Sequence, residues 1–341
     1  MMNLKNIFVP MGALFLVLLL AGCSASKDVA NKDVKDGFYP GTVKVGHLVA
    51  LDMAPMFVAK EAGYFQDEGI DLETVFFSNP GDNNTALAGG SIQFSINPFT
   101  LPYLGVNSGV PMEIISSAGG LGVIQVVIQS DYEVTRMEEL AQWVKNNPEQ
   151  KLKVGALRGD TLDMILYKSF KEVGLTYDDF EMIWFNDLLA MVQSFKSKDL
   201  AILSHIKPYT TDLEVNYNAK ALTDNAEVWG KATPNTTVAI LHDFGIQYPE
   251  TVKAYLRAVH KGFEMVVNNP DQAIALLKDK NYYAVSDDVL LEAFKSQKDV
   301  VLKPDVDGMM MAINDMVDQG YIEKPSSDIV NMSFLDAIGS K

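Results

Sequence analysis

Apolar and polar positions alternate along "TVKVGHLV" (42–49), and the segment is rich in β-branched residues, which predicts a strand. "APMFVAKEAGYF" then spaces its apolar residues three and four apart with Gly63 in the last turn, which predicts a helix. The order repeats: "IDLETVFF" (70–77) is a strand, and "GDNNTALAGG" (81–90) is a short helix capped by Asp82 or Asn83. Strands follow at 92–98, 111–119 and 122–130. Strands alternating with helices in this way predict parallel βαβ units.

The pattern restarts after residue 131. "EELAQWVKNNP" is a helix, "KLKVGAL" (151–157) a strand, and "TLDMILYKSFKEVGL" a helix closed by Gly174. "DFEMIWF", "DLLAMVQSFKSK" and "LAILSHI" (200–206) continue as strand, helix and strand. One more strand is expected within 232–246, and the chain from 249 onward reads mostly as helices, broken near Pro270, Pro304 and Gly320. These blocks predict two α/β lobes: 41–130 plus 232–341 as lobe 1 and 131–231 as lobe 2, with crossings near 128–132 and 230–238. The C-terminal helices are expected to pack on lobe 1.

The 341 residues suffice for two lobes, and 48% hydrophobic with 21% charged content is ordinary for a globular protein. The net charge of −16 opposes binding to nucleic-acid phosphates. At the N-terminus, Lys5 precedes an apolar run that ends in "LAGC". This predicts a signal peptide over 1–22 rather than a core helix or a membrane span. Residues 23–40 are small, polar and charged and predict a flexible tether. Cys23 is the only cysteine, so no intramolecular disulfide can form and the exported domain relies on its core.

"LAGC" resembles the lipobox of bacterial lipoproteins, which implies cleavage before Cys23 and a lipid on its sulfur. "APMFVAKEAGYFQDEGIDLE" followed by "TALAGGSIQFSI" resembles the opening of the solute-binding proteins of nitrate, sulfonate and taurine importers and of thiamine-pyrimidine-precursor binding proteins. "VGALRGDTLDMILYKSFKEVGL" and "LAMVQSFKSKDLAILSHIKPY" extend the match less specifically, to roughly 42–300 in all. The resemblance implies the α/β, type II periplasmic binding protein fold: two lobes, two hinge strands and a ligand cleft. It implies a lipid-anchored protein at the cell envelope that captures a small-molecule solute by hinge closure and delivers it to an ABC permease and ATPase complex. The expected state is a monomer.

In such folds ligands sit at the carboxyl ends of strands, against loops that start helices. Asp52 and Met53 occupy such a loop, where Asp52 either caps the next helix or lines the cleft, or does both. Asn97 and Phe99 follow a strand expected to end there, and Asn97 matches a polar position of the family. Thr161 matches a hydroxyl of the family's turn into a helix. Arg158 is either a fixed positive charge for an anion or a solvated surface side chain, and Asp160 and Asp163 beside it disfavour a small anion. Trp184, Phe185 and Tyr209 are candidates to stack on a flat ring, one or two of them in the pocket, and His205 to donate to it. His205 stands where the family usually has an acidic residue. This set leans toward a neutral, zwitterionic or heterocyclic solute.

The methionines of "GMMMAINDM" (308–316) read as core packing. The four histidines lie far apart in sequence, and no P-loop, HExxH or GxSxG motif is present. No metal, cofactor or catalytic group is therefore expected. Two alternatives stay open: an enzyme on the same fold, of pyrimidine-synthase or menaquinone-pathway type, and a sensor lipoprotein that presents ligand to a receptor.

Overall fold

The computed structural model describes residues 36–230, 233–278, 280–297, 301–324 and 327–339. The expected signal peptide, Cys23 and most of the tether lie outside the described residues. Among the described residues ten strands are formed: β1 Val43–His47, β2 Leu72–Phe76, β3 Phe94–Pro98, β4 Met112–Ser117, β5 Ile124–Ile128, β6 Lys153–Leu157, β7 Glu181–Phe185, β8 Ile202–Ile206, β9 Lys220–Asp224 and β10 Thr236–Leu241.

They make two five-stranded sheets, ordered β2-β1-β3-β10-β4 and β7-β6-β8-β5-β9. Each sheet has a parallel trio, and each has one antiparallel strand beside it (β10 in the first, β5 in the second). The two sheets thus share one topology. In each, the antiparallel strand is the first one laid down after the chain has crossed from the other sheet. This is the type II periplasmic binding protein architecture.

The first crossing lies earlier than expected. Ile124–Ile128 belongs to the second sheet, where it pairs with β8 and β9, so the chain passes between sheets within 118–123 rather than 128–132. All five of its residues are buried, because it is an interior strand covered on both faces. The second crossing lies within 225–235.

The C-terminal helices also depart from expectation. The 20-residue helix Pro249–Asn268 packs along Ala54–Glu61 of the first lobe. Helix Asp287–Lys295 packs on helix Pro270–Leu277 and also on Tyr209–Tyr217 of the second lobe, and helix Val306–Asp318 packs on Thr161–Glu172 of the second lobe and on Thr100–Asn107 of the first. One tie is Asp163, which accepts hydrogen bonds from the Tyr321 hydroxyl (2.7 Å), the Tyr177 hydroxyl and the Gly159 amide (2.8 Å). Met309 and Met316 are fully buried in the core, while Met311 is exposed.

The end of the tether is anchored. The Tyr39 amide donates to the Thr251 hydroxyl (2.7 Å), and its ring meets Tyr248 edge-on at 5.1 Å and Phe244 at 5.7 Å. An aromatic side chain there buries enough surface to hold the segment.

Candidate cleft between the two sheets

Helices begin where parallel strands end, so the carboxyl ends of both trios carry helix N-termini toward each other. The first lobe brings the turn Leu51–Met53 after β1, helix Pro80–Ala88, and Pro98 at the end of β3. The second brings helix Thr161–Glu172, helix Leu188–Lys196, and Ile206 at the end of β8. Asn79 caps the Pro80 helix by accepting from the Gly81 amide at 2.6 Å, so the cap sits three residues before the expected Asp82, with Pro80 at the first helical position. Asp160 caps the Thr161 helix, accepting from the Leu162 amide at 2.8 Å.

Between these ends lies a cavity of about 10 Å³, room for roughly one water. Its wall includes Ala50, Pro80, Asp160, Thr161, Asn235 and Thr236. The lobes meet directly around it. The Leu51 amide donates to the Lys207 carbonyl (2.9 Å), the Asn79 side-chain amide to the Asn186 carbonyl (2.8 Å), and the Thr161 hydroxyl to Asn235 Oδ1 (2.8 Å). The cleft is therefore closed on itself.

Three side chains around the cavity leave oxygens without a partner: Asp52 Oδ1, Asn97 Oδ1 and Asp160 Oδ2. Asp52 is 1% exposed, Asn97 0% and Asp160 3%. Asp52 Oδ2 accepts from both the amide (3.0 Å) and hydroxyl (2.6 Å) of Thr236. Burial pushes the Asp52 carboxyl up to about 6, against the lowering effect of these bonds and of Asn235. Burial, and then the Asp163 carboxylate, push the Asp160 carboxyl well above its usual range. Asn97 donates its side-chain amide to the Pro80 carbonyl at 3.0 Å.

Of the residues singled out from sequence, Thr161 lines the cavity, and Asp52 and Asn97 are bonded to residues that line it. Asp52 does not cap the following helix; its carboxylate turns to Thr236 instead. Met53 lies one layer beneath, its sulfur accepting from the Leu48 amide at 3.2 Å. Phe99 is buried edge-on against Trp229 at 5.7 Å, with its amide donating to the Asn235 carbonyl. Tyr209 is buried at the start of its helix; its hydroxyl accepts from the Ala284 amide, and burial pushes it up to about 12.

Three candidates are placed elsewhere. Arg158 is exposed and its guanidinium lies 4.5 Å from the Trp184 ring, so the two stack on each other at the edge of the second sheet rather than in the cavity wall. His205 is held inside the second lobe. Its Nε2 bonds the Leu188 carbonyl at 2.8 Å, and burial lowers its pKa to about 4, so the ring is neutral and its donor is used.

Asn235 and Thr236 went unread in the sequence. The signal was "TPNTT" (233–237), a polar cluster directly before an apolar run, which marks a strand entering from a polar site. Among the described residues, no group of three or more His, Cys, Asp or Glu could hold a metal ion.

The chain belongs to the NMT1-like family, whose pattern matches residues 38–278. It is 24% identical over 277 residues to a formylaminopyrimidine-binding protein of Halalkalibacterium halodurans, covering 77% of this chain and 76% of that one. In fold it is similar to the periplasmic nitrate-binding protein of Synechocystis (TM-score 0.74, 20% identity, 87% of this chain and 88% of that one). It is also similar to the periplasmic aliphatic sulphonate binding protein of Escherichia coli (TM-score 0.70, 12% identity, 85% and 91%). The same fold occurs in a desulfurization enzyme (TM-score 0.62, 14% identity, 89% and 99%).

Proposed function

We propose that this chain is the extracytoplasmic solute-binding component of an ABC importer, lipid-anchored through Cys23. Its ligand is a small polar organic solute, of the aminopyrimidine type or of the sulfonate, taurine or nitrate type. Residues 41–118 together with 236–278 form one lobe, and 124–224 form the other, with the helices after 286 packing across both. Solute enters when the lobes part, replaces the contacts they make with each other, and bridges both when they close. The observation that carries this reading is the ring of buried polar groups where the two sheets face each other, Asp52, Asn97, Asp160 and Asn235 among them. Membership of the NMT1-like family and the relatives that bind solutes support it.

A thermal-shift panel tests this function. Nitrate, taurine, alkanesulfonates and aminopyrimidines are added to the full-length chain, and the recovered solute is weighed by mass spectrometry. A ligand at ~100 times its Kd adds roughly 2.7 kcal/mol of stability. A shift with the solute recovered unchanged supports binding, and conversion of the solute points to an enzyme instead.

A further inference from the structure

"NYYAVSDD" (281–288) places two tyrosines just before helix Asp287–Lys295, and each holds the chain to the first lobe. The Tyr282 ring stacks on Phe57 at 4.1 Å, and its hydroxyl donates to Glu61 at 2.6 Å. Tyr283 is buried and donates its hydroxyl to the Ala50 carbonyl at 3.3 Å. Beyond the helix, the Leu302 carbonyl accepts the Ser117 amide at 2.8 Å, at the end of β4 and so again in the first lobe. Between these attachments the chain rests on the second lobe. The Ala284 amide donates to the Tyr209 hydroxyl, and the helix packs on Tyr209–Tyr217. Where the helix ends, the buried Lys207 ammonium donates to Ser296 Oγ (2.9 Å) and to the Ser296 carbonyl (3.3 Å). Gln297 then lies against Gly120 in the first crossing, where a β-carbon would stand 2.7 Å from Gln297 Oε1.

A segment with both ends on one lobe and its middle on the other opposes their separation. For the second lobe to swing away, Tyr209–Tyr217 must leave Asp287–Lys295, and the Lys207 ammonium must lose two acceptors. Hydrogen bonds from a charged donor are the strong ones, and a buried charge that loses acceptors is costly. The Lys207 carbonyl also accepts the Leu51 amide, so one residue joins the second lobe both to the first and to this segment.

We propose that residues 282–297 are a clasp that moves with the first lobe and holds the second against it, with Lys207 as its catch. The clasp sets how often the lobes part, whatever solute they take. It goes beyond the solute-binding reading and is tested without a solute, so a failed solute panel leaves it standing.

The full-length chain, in a Cys23→Ser background, carries spin labels at Asp82→Cys and Ala190→Cys on helices that flank the cleft. Pulsed electron resonance is recorded with no solute added, for this chain and for its Lys207→Met and Ser296→Ala variants, and a melting curve checks that each folds. Lys207→Met should raise the ratio of long to short distances by about tenfold, and Ser296→Ala, which keeps the carbonyl, by about threefold. Amide exchange should quicken in Tyr209–Tyr217 and Asp287–Lys295 and stay unchanged in β1. Unchanged distances in the folded variants overturn the clasp. Longer distances with faster exchange throughout both lobes also overturn it, because Lys207 would then serve the fold alone. Should Lys207→Met not fold, Ser296→Ala, which removes only one hydroxyl, decides between the same outcomes.

Discussion

Asp52 and Thr236, 184 positions apart, meet at the floor of the cleft, where one carboxylate oxygen accepts the Thr236 amide at 3.0 Å and its hydroxyl at 2.6 Å. Asp52 follows β1, and Thr236 opens β10, the strand on which the chain returns from the second lobe. The bond therefore fixes the returning strand at the point where the neighbouring Asn235 accepts the Thr161 hydroxyl from the other lobe. A chain of hydrogen bonds runs from one sheet to the other through a single crossing.

The raised Asp52 carboxyl gives a signed pH dependence. The folded group, with a pKa of about 6 against 3.8 unperturbed, binds its proton more tightly than the unfolded one. Its contribution to stability is complete below the unfolded value and is lost as pH rises through about 6, for a total of about 3 kcal/mol. Urea unfolding at about pH 4 and about pH 7.5 checks this. Relative to Asp52→Asn, the wild type should lose stability between the two. A relative gain would contradict the burial of this carboxyl.

Gly262 sits in the middle of the long helix, where it packs on Ala54–Glu61. A β-carbon there would lie 2.9 Å from the Ala59 amide nitrogen and closer still to the Pro55 carbonyl oxygen, both backbone atoms that cannot swing away. Gly262→Ala should destabilise by about 1–3 kcal/mol despite the better helix propensity of alanine. A stabilised variant in denaturant titration would mean that the two helices are farther apart than described.

Tyr321 ties the end of the Val306–Asp318 helix to Asp163 in the second lobe. Tyr321→Phe leaves the ring and removes the hydroxyl, at a cost of about 1–3 kcal/mol because a buried carboxylate loses a donor. Hydrogen exchange should rise in the Thr161–Glu172 helix as well as around residue 321. A change limited to the surface turn at 321 would show that the tie carries no energy.

Arg158 and Trp184 stack on each other outside the cavity wall. Arg158→Ala should therefore change solute affinity by less than about twofold, the range of a side chain that makes no ligand contact. Thr161→Val, which breaks the bond to Asn235, should weaken it several-fold. The reverse pattern in calorimetry would place the solute at the sheet edge.

The parallel trios were legible because their strands are β-branched runs separated by amphipathic helices, and the two-lobed architecture follows from that alternation. The first crossing was misplaced because "GVIQVVIQS" carries no mark of which sheet it joins; only its pairing with β8 and β9 decides that. Helices Thr100–Asn107 and Tyr209–Tyr217 and strand β9 were missed, the first because Pro102 and Gly105 break its pattern, the last because "KALTD" is short and polar. The strand-end rule points to Thr161, which lines the cavity, and to Asp52 and Asn97, which are bonded to residues that line it, whereas Asn235 and Thr236 sit at the start of an antiparallel strand, which that rule does not cover. His205 and Trp184 illustrate the limit of composition: an imidazole or indole near a strand end is as readily spent on a carbonyl or a guanidinium as on a ligand.

On the proposed function, solute binding closes the two lobes on each other. Spin labels at Asp82→Cys and Ala190→Cys, both exposed on helices flanking the cleft, report the distance across it in a Cys23→Ser background. With the solute that raises the melting temperature in the thermal-shift panel added, pulsed electron resonance should show the distance distribution narrow and shift to its short end. A distribution that is the same with and without aminopyrimidine, sulfonate, taurine and nitrate would mean that solute does not close the lobes.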